Sequence, residues 1–317
     1  MLCRLSSPPA PRSVRPHGRF LVALFASLLA SQISACAWID EDRRFSDEDP
    51  TLRLLESYPA NGAAGVEQGS QIDFCFSQTI DPKSVGTFDV ILVSGVNIFD
   101  VEVSLQLFAW RPPAGLGALP EEPWCPGSVL TLRPRSEMRG DADYRVRLRP
   151  FVVGWGGESL DLLSEPWKQL EDGRWATYVE FRVAADEEPD APPGEGPPKP
   201  PPITLSDLYG AGGPFEPARA LCSCHGEDGA LAQQRLDLST PELAFEGLVL
   251  DQTLASTGYP RVTPAQPSES FLIQKLLRDP DGAPLHAVRG AVMPPDEPLE
   301  YPDMVMIARW IEDGALP

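Results

Sequence analysis

Between Ala185 and Pro202 the chain runs from acidic residues into Pro192-Pro193, Pro197-Pro198 and Pro200-Pro201-Pro202. Proline has no backbone N–H and a fixed φ, so neither a helix nor an inner strand passes through such a stretch. The composition predicts a linker over 185–202, extended like polyproline at about 3.1 Å per residue, holding two domains apart. The residues on its two sides are patterned differently, which makes it the division of the chain.

On the N-terminal side polar and apolar residues alternate. Gln71 to Phe76, Val101 to Leu107, Tyr144 to Arg149 and Tyr178 to Val183 each read with period two. That pattern predicts half-buried antiparallel strands, and the Gly and Pro clusters between them predict an all-β sandwich. Tyr58-Pro59-Ala60-Asn61-Gly62 with Val66, then Ile72 to Ser77, then Ile80-Asp81-Pro82-Lys83-Ser84-Val85, resembles the bacterial Ig-like domains of cell-surface proteins. The likeness covers 52–184, with an enlarged segment around Arg111–Trp124. It implies a spacer or adhesion module. Trp110, Trp124, Trp155, Trp167 and Trp175 are expected to pack on the sandwich and its loops. No histidine lies between 52 and 184, so a Ser/His/Asp set is excluded there.

On the C-terminal side stands Cys222-Ser223-Cys224-His225-Gly226, one residue short of the C-x-x-C-H signature of covalent haem attachment. On a helix, cysteines two positions apart face about 200 degrees away from each other. Cys224-His225 keeps the spacing needed for one thioether beside an iron ligand, whereas a second thioether at Cys222 needs an unwound backbone. The residues leave open a local Cys222–Cys224 disulfide, or two unlinked thiols.

Downstream come Leu236-Asp237-Leu238, Pro267 to Leu276, Val292-Met293-Pro294-Pro295 and Ile307 to Ala315. In this order the segments resemble the small cytochrome c domains of large bacterial surface and periplasmic proteins, over 203–317. The resemblance implies an all-α cytochrome c-like domain carrying haem c. His225 would be the proximal iron ligand and Cys224, with Cys222, the thioether attachment. Met293 would be the distal ligand, and a His/Met pair raises haem potential relative to two histidines. His286 is the alternative distal ligand. Met304 and Met306 are expected in the core of the terminal helix, and Thr204 to Tyr209 reads as a capped helix start.

The first 36 residues read as a targeting segment. Arg4, Arg12, Arg15 and Arg19 form a basic region, and Phe20 to Ala30 is apolar but shorter than the roughly 20 residues that span a bilayer. Ile33-Ser34-Ala35-Cys36 resembles the lipobox of bacterial lipoproteins. This implies that Cys36 becomes an acylated N-terminus, with 37–51 as a tether. The absence of Asp just after Cys36 implies outer-membrane sorting, facing the periplasm or the cell surface.

The formal charge is −20, and it becomes −24 once the four leader arginines are gone. An acidic surface of this kind disfavours nucleic acid. Cys3 leaves with the leader, Cys36 takes lipid, and Cys222 and Cys224 belong to the haem motif. The remaining pair, Cys75 and Cys125, is predicted to form a disulfide in an oxidising compartment. The fold expected is therefore multidomain, an all-β Ig-like sandwich followed by a small all-α cytochrome c-like domain. The function expected is one-electron transfer with an unidentified redox partner, not enzymatic catalysis, with the membrane reached through the lipid anchor. The rival reading is a haemless structural or binding lipoprotein.

Overall fold

The computed structural model describes residues 51–86, 90–113, 118–185, 201–219, 225–226, 236–251, 259–278, 282–283, 292–295 and 297–317. The described residues all fall in one compact unit. The alternation at Tyr144 to Leu148 becomes strand β8 (Asp143–Leu148), which buries Tyr144, Val146 and Leu148 and exposes Asp143 and Arg145. It is one of ten strands among the described residues. The others are β1 (Leu54–Tyr58), β2 (Ala63–Val66), β3 (Ile72–Phe76), β4 (Val90–Ser94), β5 (Asn97–Phe99), β6 (Val101–Gln106), β7 (Val129–Pro134), β9 (Lys168–Gln169) and β10 (Trp175–Val183).

Two sheets result. One runs β1-β3-β7-β6 and is antiparallel throughout. The other runs β2-β10-β8-β4-β5, with β2 parallel to β10 and β9 paired to β10. Phe74, Leu130 and Leu132 of the first sheet and Leu92, Val146 and Phe181 of the second belong to one buried cluster. The two sheets therefore close over a shared core, as in a β-sandwich.

The alternating pattern of Gln71 to Phe76 predicts one solvated face, but every residue of β3 is buried. The reason is a second layer. Residues 107–113 and 118–128 lie over the outer face, where Cys75, Ala109, Cys125 and Val129 form a small cluster with Trp124 against it. Cys75 and Cys125 are disulfide-bonded, with Cα atoms 5.6 Å apart. Gly127 allows the close approach: a Cβ there would lie 2.4 Å from the backbone of Gln78.

Under this layer lies a buried polar chain. Thr131 donates its hydroxyl to Asp73 Oδ1 at 2.7 Å, and Gln106 Nε2 donates to Thr131 Oγ1 at 3.0 Å. Gln106 Oε1 in turn accepts the Arg111 amide at 3.0 Å. Asp73, Gln106 and Thr131 are all buried, so their mutual bonding offsets the cost of leaving water.

After the linker the expectation of an all-α cytochrome c-like domain is overturned. Among the described residues the molecule is mostly β-sheet with few, short helices. Among the described residues of 201–317 the α-helices are α1 (Leu205–Tyr209), α2 (Pro241–Phe245), α3 (Phe271–Leu276) and α4 (Tyr301–Glu312). Only α4 exceeds six residues. Pro214, Pro217, Pro260, Pro264, Pro267, Pro294, Pro295 and Pro298 interrupt the chain between them, and each removes a donor and blocks helical propagation.

What exists is well tied. Thr204 and Asp207 form a capping box at α1. The Leu205 amide donates to the Leu316 carbonyl, and Trp310 Nε1 donates to the same oxygen at 2.7 Å. Val305, Ile307, Ala308, Trp310 and Ile311 fill the core side of α4, and Met304 and Met306 pack partly buried against the same cluster.

This segment rests directly on the sandwich. Tyr301 donates its hydroxyl to the Ala109 carbonyl and meets Phe108 edge-on at 6.4 Å between ring centroids. Arg111 pairs with Glu312, and Lys83 lies 5.5 Å from the centre of the Tyr259 ring.

Candidate functional site

Approaching Cys222, the chain makes a short 3-10 turn, Pro217–Arg219. Arg219 closes a two-pronged fork on Asp303 of α4, with Nη1 to Oδ1 at 2.6 Å and Nη2 to Oδ2 at 2.7 Å. It also donates from Nη1 to the Gly212 carbonyl at 3.0 Å. The hydrogen bonds it donates to the Asp303 carboxylate hold the guanidinium above its ordinary pKa. A planar guanidinium on a carboxylate fixes direction as well as distance, so the residue three positions before Cys222 is pinned to α4. Cys222 and Cys224 themselves lie outside the described residues.

His225 is partly buried. Its Nδ1 lies 2.9 Å from the Leu236 carbonyl oxygen, and its own carbonyl accepts the Leu238 amide at 2.9 Å. A carbonyl only accepts, so Nδ1 carries the proton. In the neutral ring this leaves the Nε2 lone pair as the available ligand. Metal-ligating histidines are oriented in this way, the second nitrogen held by a backbone carbonyl. The Leu238 carbonyl is in turn held by the Tyr209 hydroxyl of α1 at 2.8 Å.

Met293 is partly buried and packs on the hydrophobic cluster. Its amide donates to the Lys275 carbonyl in α3 at 2.9 Å. Next to it, the Pro294 carbonyl accepts Arg278 Nη2. The loop carrying the thioether is thus fastened to α3 and the residues just after it. Burial pulls the Lys275 ammonium down to about 8. Gln274, its neighbour, is completely buried, and neither its Nε2 nor its Oε1 has a hydrogen-bond partner. Arg278 Nε is likewise buried without a partner. His286 lies outside the described residues.

An imidazole with Nδ1 held and Nε2 open, and a soft thioether on an anchored loop, are donor types that would suit a haem iron. Among the described residues no group of three or more His, Cys, Asp or Glu side chains converges as a metal cage. The sequence did not single out Arg219, Asp303 or Gln274. The fork spans 84 residues, and no local spacing marks it.

On the sandwich, a shallow hollow of about 310 Å³ is lined by Asn61, Arg145, Lys168, Tyr178 and Glu180. Arg145 is paired with Glu180 there. Cys36 lies outside the described residues. Among the described residues no helix is long and apolar enough to cross a membrane.

No family model matches the chain, and no curated protein matches it. Among solved structures it is similar to the N-terminal part of the bacterial S-layer protein SbsC, with 9% identity and a TM-score of 0.25, over 42% of this chain and 24% of that one. It is also similar to CopC from Methylosinus trichosporium OB3b, with 14% identity and a TM-score of 0.23, over 43% of this chain and 97% of that one. The chain therefore spans about a quarter of the S-layer fragment's length. At these TM-scores neither likeness carries an argument about fold, ligand or activity.

Proposed function

We propose that this chain is an exported, lipid-anchored one-electron carrier whose haem is held covalently by Cys224, with Cys222 as the second attachment point. The single observation that carries the reading is the ring of His225, fixed through Nδ1 to the Leu236 carbonyl one residue after Cys224. That arrangement presents Nε2 as an iron ligand. Met293, whose amide is bonded to the Lys275 carbonyl, would be the second residue to hold the iron, with His286 as the alternative.

Bound haem supplies a metal that changes charge by one electron. Cys224 would hold the group through a thioether, and His225, with Nδ1 bonded to the Leu236 carbonyl, would bind it through Nε2. Arg219 and Asp303 hold the start of the attachment segment against α4. Acylation of Cys36 places the carrier at a membrane surface, expected to be the outer membrane. Its redox partner is another protein of the same compartment. No group in this reading performs catalysis on a substrate.

Production of the chain in cells with a cytochrome maturation system, followed by a pyridine haemochrome spectrum of the denatured protein, tests this. Covalent haem retained after acid–acetone extraction supports the reading; complete extraction ends it.

The second reading is a haemless binding or structural lipoprotein. It is favoured by the packing of Tyr301 and Glu312 against the sandwich, which gives the C-terminal segment a structural role without any cofactor.

A further inference from the structure

We infer that the hollow on the sandwich is a binding site for a neutral saccharide. The inference is independent of the electron-carrier reading, because every residue that lines the hollow belongs to the sandwich. The hollow of about 310 Å³ is continued by a smaller one of about 130 Å³, and Asn61, Lys168 and Tyr178 line both. Together they make one groove, at the lower end of the roughly 300–1,000 Å³ that small ligands occupy.

Four stretches of chain converge on it. β8 supplies Arg145, β10 supplies Tyr178 and Glu180, β9 supplies Lys168, and the turn between β1 and β2 supplies Asn61. The Glu180 amide donates to Asn61 Oδ1 at 2.9 Å, which fixes that side chain and leaves Nδ2 to donate. Arg145 Nε donates to Glu180 Oε1 at 2.6 Å, and Nη2 meets the same oxygen. Glu180 Oε2 is left to accept. The Arg145 guanidinium also lies 5.7 Å from the centre of the half-buried Tyr178 ring.

The chemistry of this lining selects the ligand. Arg145 and Lys168 are balanced by Glu180 and Glu165, so no net charge favours an ion, and a phosphate or carboxylate would meet two glutamates. Donors at Asn61 and Lys168 stand beside an acceptor at Glu180, around a tyrosine whose hydroxyl does both. Sugar hydroxyls likewise donate and accept. The C–H face of a sugar ring suits the electron-rich face of a phenol. A purely apolar ligand would strip water from these groups and return no hydrogen bond.

The full chain is titrated by calorimetry, at low and at high salt, with hexasaccharides of glucose, N-acetylglucosamine, galactose and mannose, and with an oligogalacturonate. At least one neutral hexasaccharide binds, with the same affinity at both salt concentrations, since screening acts on charge. Tyr178→Ala lowers that affinity about tenfold, whereas Tyr178→Phe, which keeps the ring, lowers it about twofold. Should Tyr178→Ala not fold, Asn61→Ala and Lys168→Met, both at exposed positions, replace it, and each lowers the affinity about threefold. A parent that binds none of the neutral hexasaccharides overturns the inference. So does undiminished binding in the variants, which places the sugar elsewhere. Binding of the oligogalacturonate alone, lost at high salt, overturns it in favour of an acidic ligand. None of these outcomes depends on whether the chain carries haem.

Discussion

Tyr301 gives its phenolic proton to the carbonyl of Ala109, so the first residue of α4 is bonded to the layer that covers the outer face of β3. Burial pushes this phenol up to about 12. An unfolded tyrosine ionises near its ordinary value of about 10. Between these values the unfolded state has lost a proton that the folded state keeps, so stability falls as pH rises through that window.

Tyr301→Phe is therefore expected to do two things. At pH 7 it lowers stability by about 1 kcal/mol through the lost hydrogen bond. Between pH 10 and 12 it loses stability less steeply than the parent. Urea melts at pH 7, 10 and 11.5 read both effects. Parallel pH profiles in the two proteins would contradict the assignment.

Arg219 and Asp303 form the second junction. The Asp303 side chain is 8% exposed and that of Arg219 28%, so the carboxylate is the more deeply buried partner. Arg219→Met strands it and is expected to cost about 3 kcal/mol, whereas replacing both residues with apolar side chains costs less. A double-mutant cycle by chemical denaturation measures the coupling. Additive single effects would show that the fork contributes direction and little energy.

The disulfide clips the covering layer to the sheet. Cys75→Ser with Cys125→Ser opens a closed loop of about 50 residues and is expected to cost about 4 kcal/mol in the chain-entropy model. Alkylation of the intact protein without reductant should leave both cysteines unlabelled. Equal labelling of both would contradict the bond.

Met293→Ala tests the axial assignment. In the loaded protein, replacement of the thioether is expected to abolish any Met–iron charge-transfer absorption and to lower the potential. An unaltered spectrum would transfer the distal role to His286.

Much of the sandwich was legible. Val101 to Leu107 and Tyr144 to Arg149 alternate because one side faces a core, and they fold as β6 and β8. Period two reports that one side is buried; it does not report whether something covers the other. Hence the sequence of β3 did not reveal that Asp73 and Cys75 are enclosed. That enclosure comes from Cys125, 50 residues away.

The C-terminal segment was less legible. Its short motifs suggested a helical domain. The prolines between those motifs leave α1, α2 and α3 at five or six residues each. The linker suggested separated domains, yet Arg111 meets Glu312 and Tyr301 meets Ala109 across roughly 200 positions. No local pattern encodes contacts at that range. Thr204 with Asp207 was readable because a capping box lies within four residues. The orphaned amide of Gln274 was not, because burial of a polar residue inside an apolar run shows only once the chain is folded.

The most direct test of the account is the haem content of the exported, purified chain and of its Cys224→Ser and Cys222→Ser variants. Intact mass and the alkaline pyridine haemochrome spectrum are recorded together. The account predicts one covalent haem in the parent and none after Cys224→Ser. After Cys222→Ser it predicts retention, with a band position characteristic of a single thioether. A parent with no mass gain and no haemochrome band would contradict it, leaving a haemless lipoprotein whose last segment serves the sandwich it packs against.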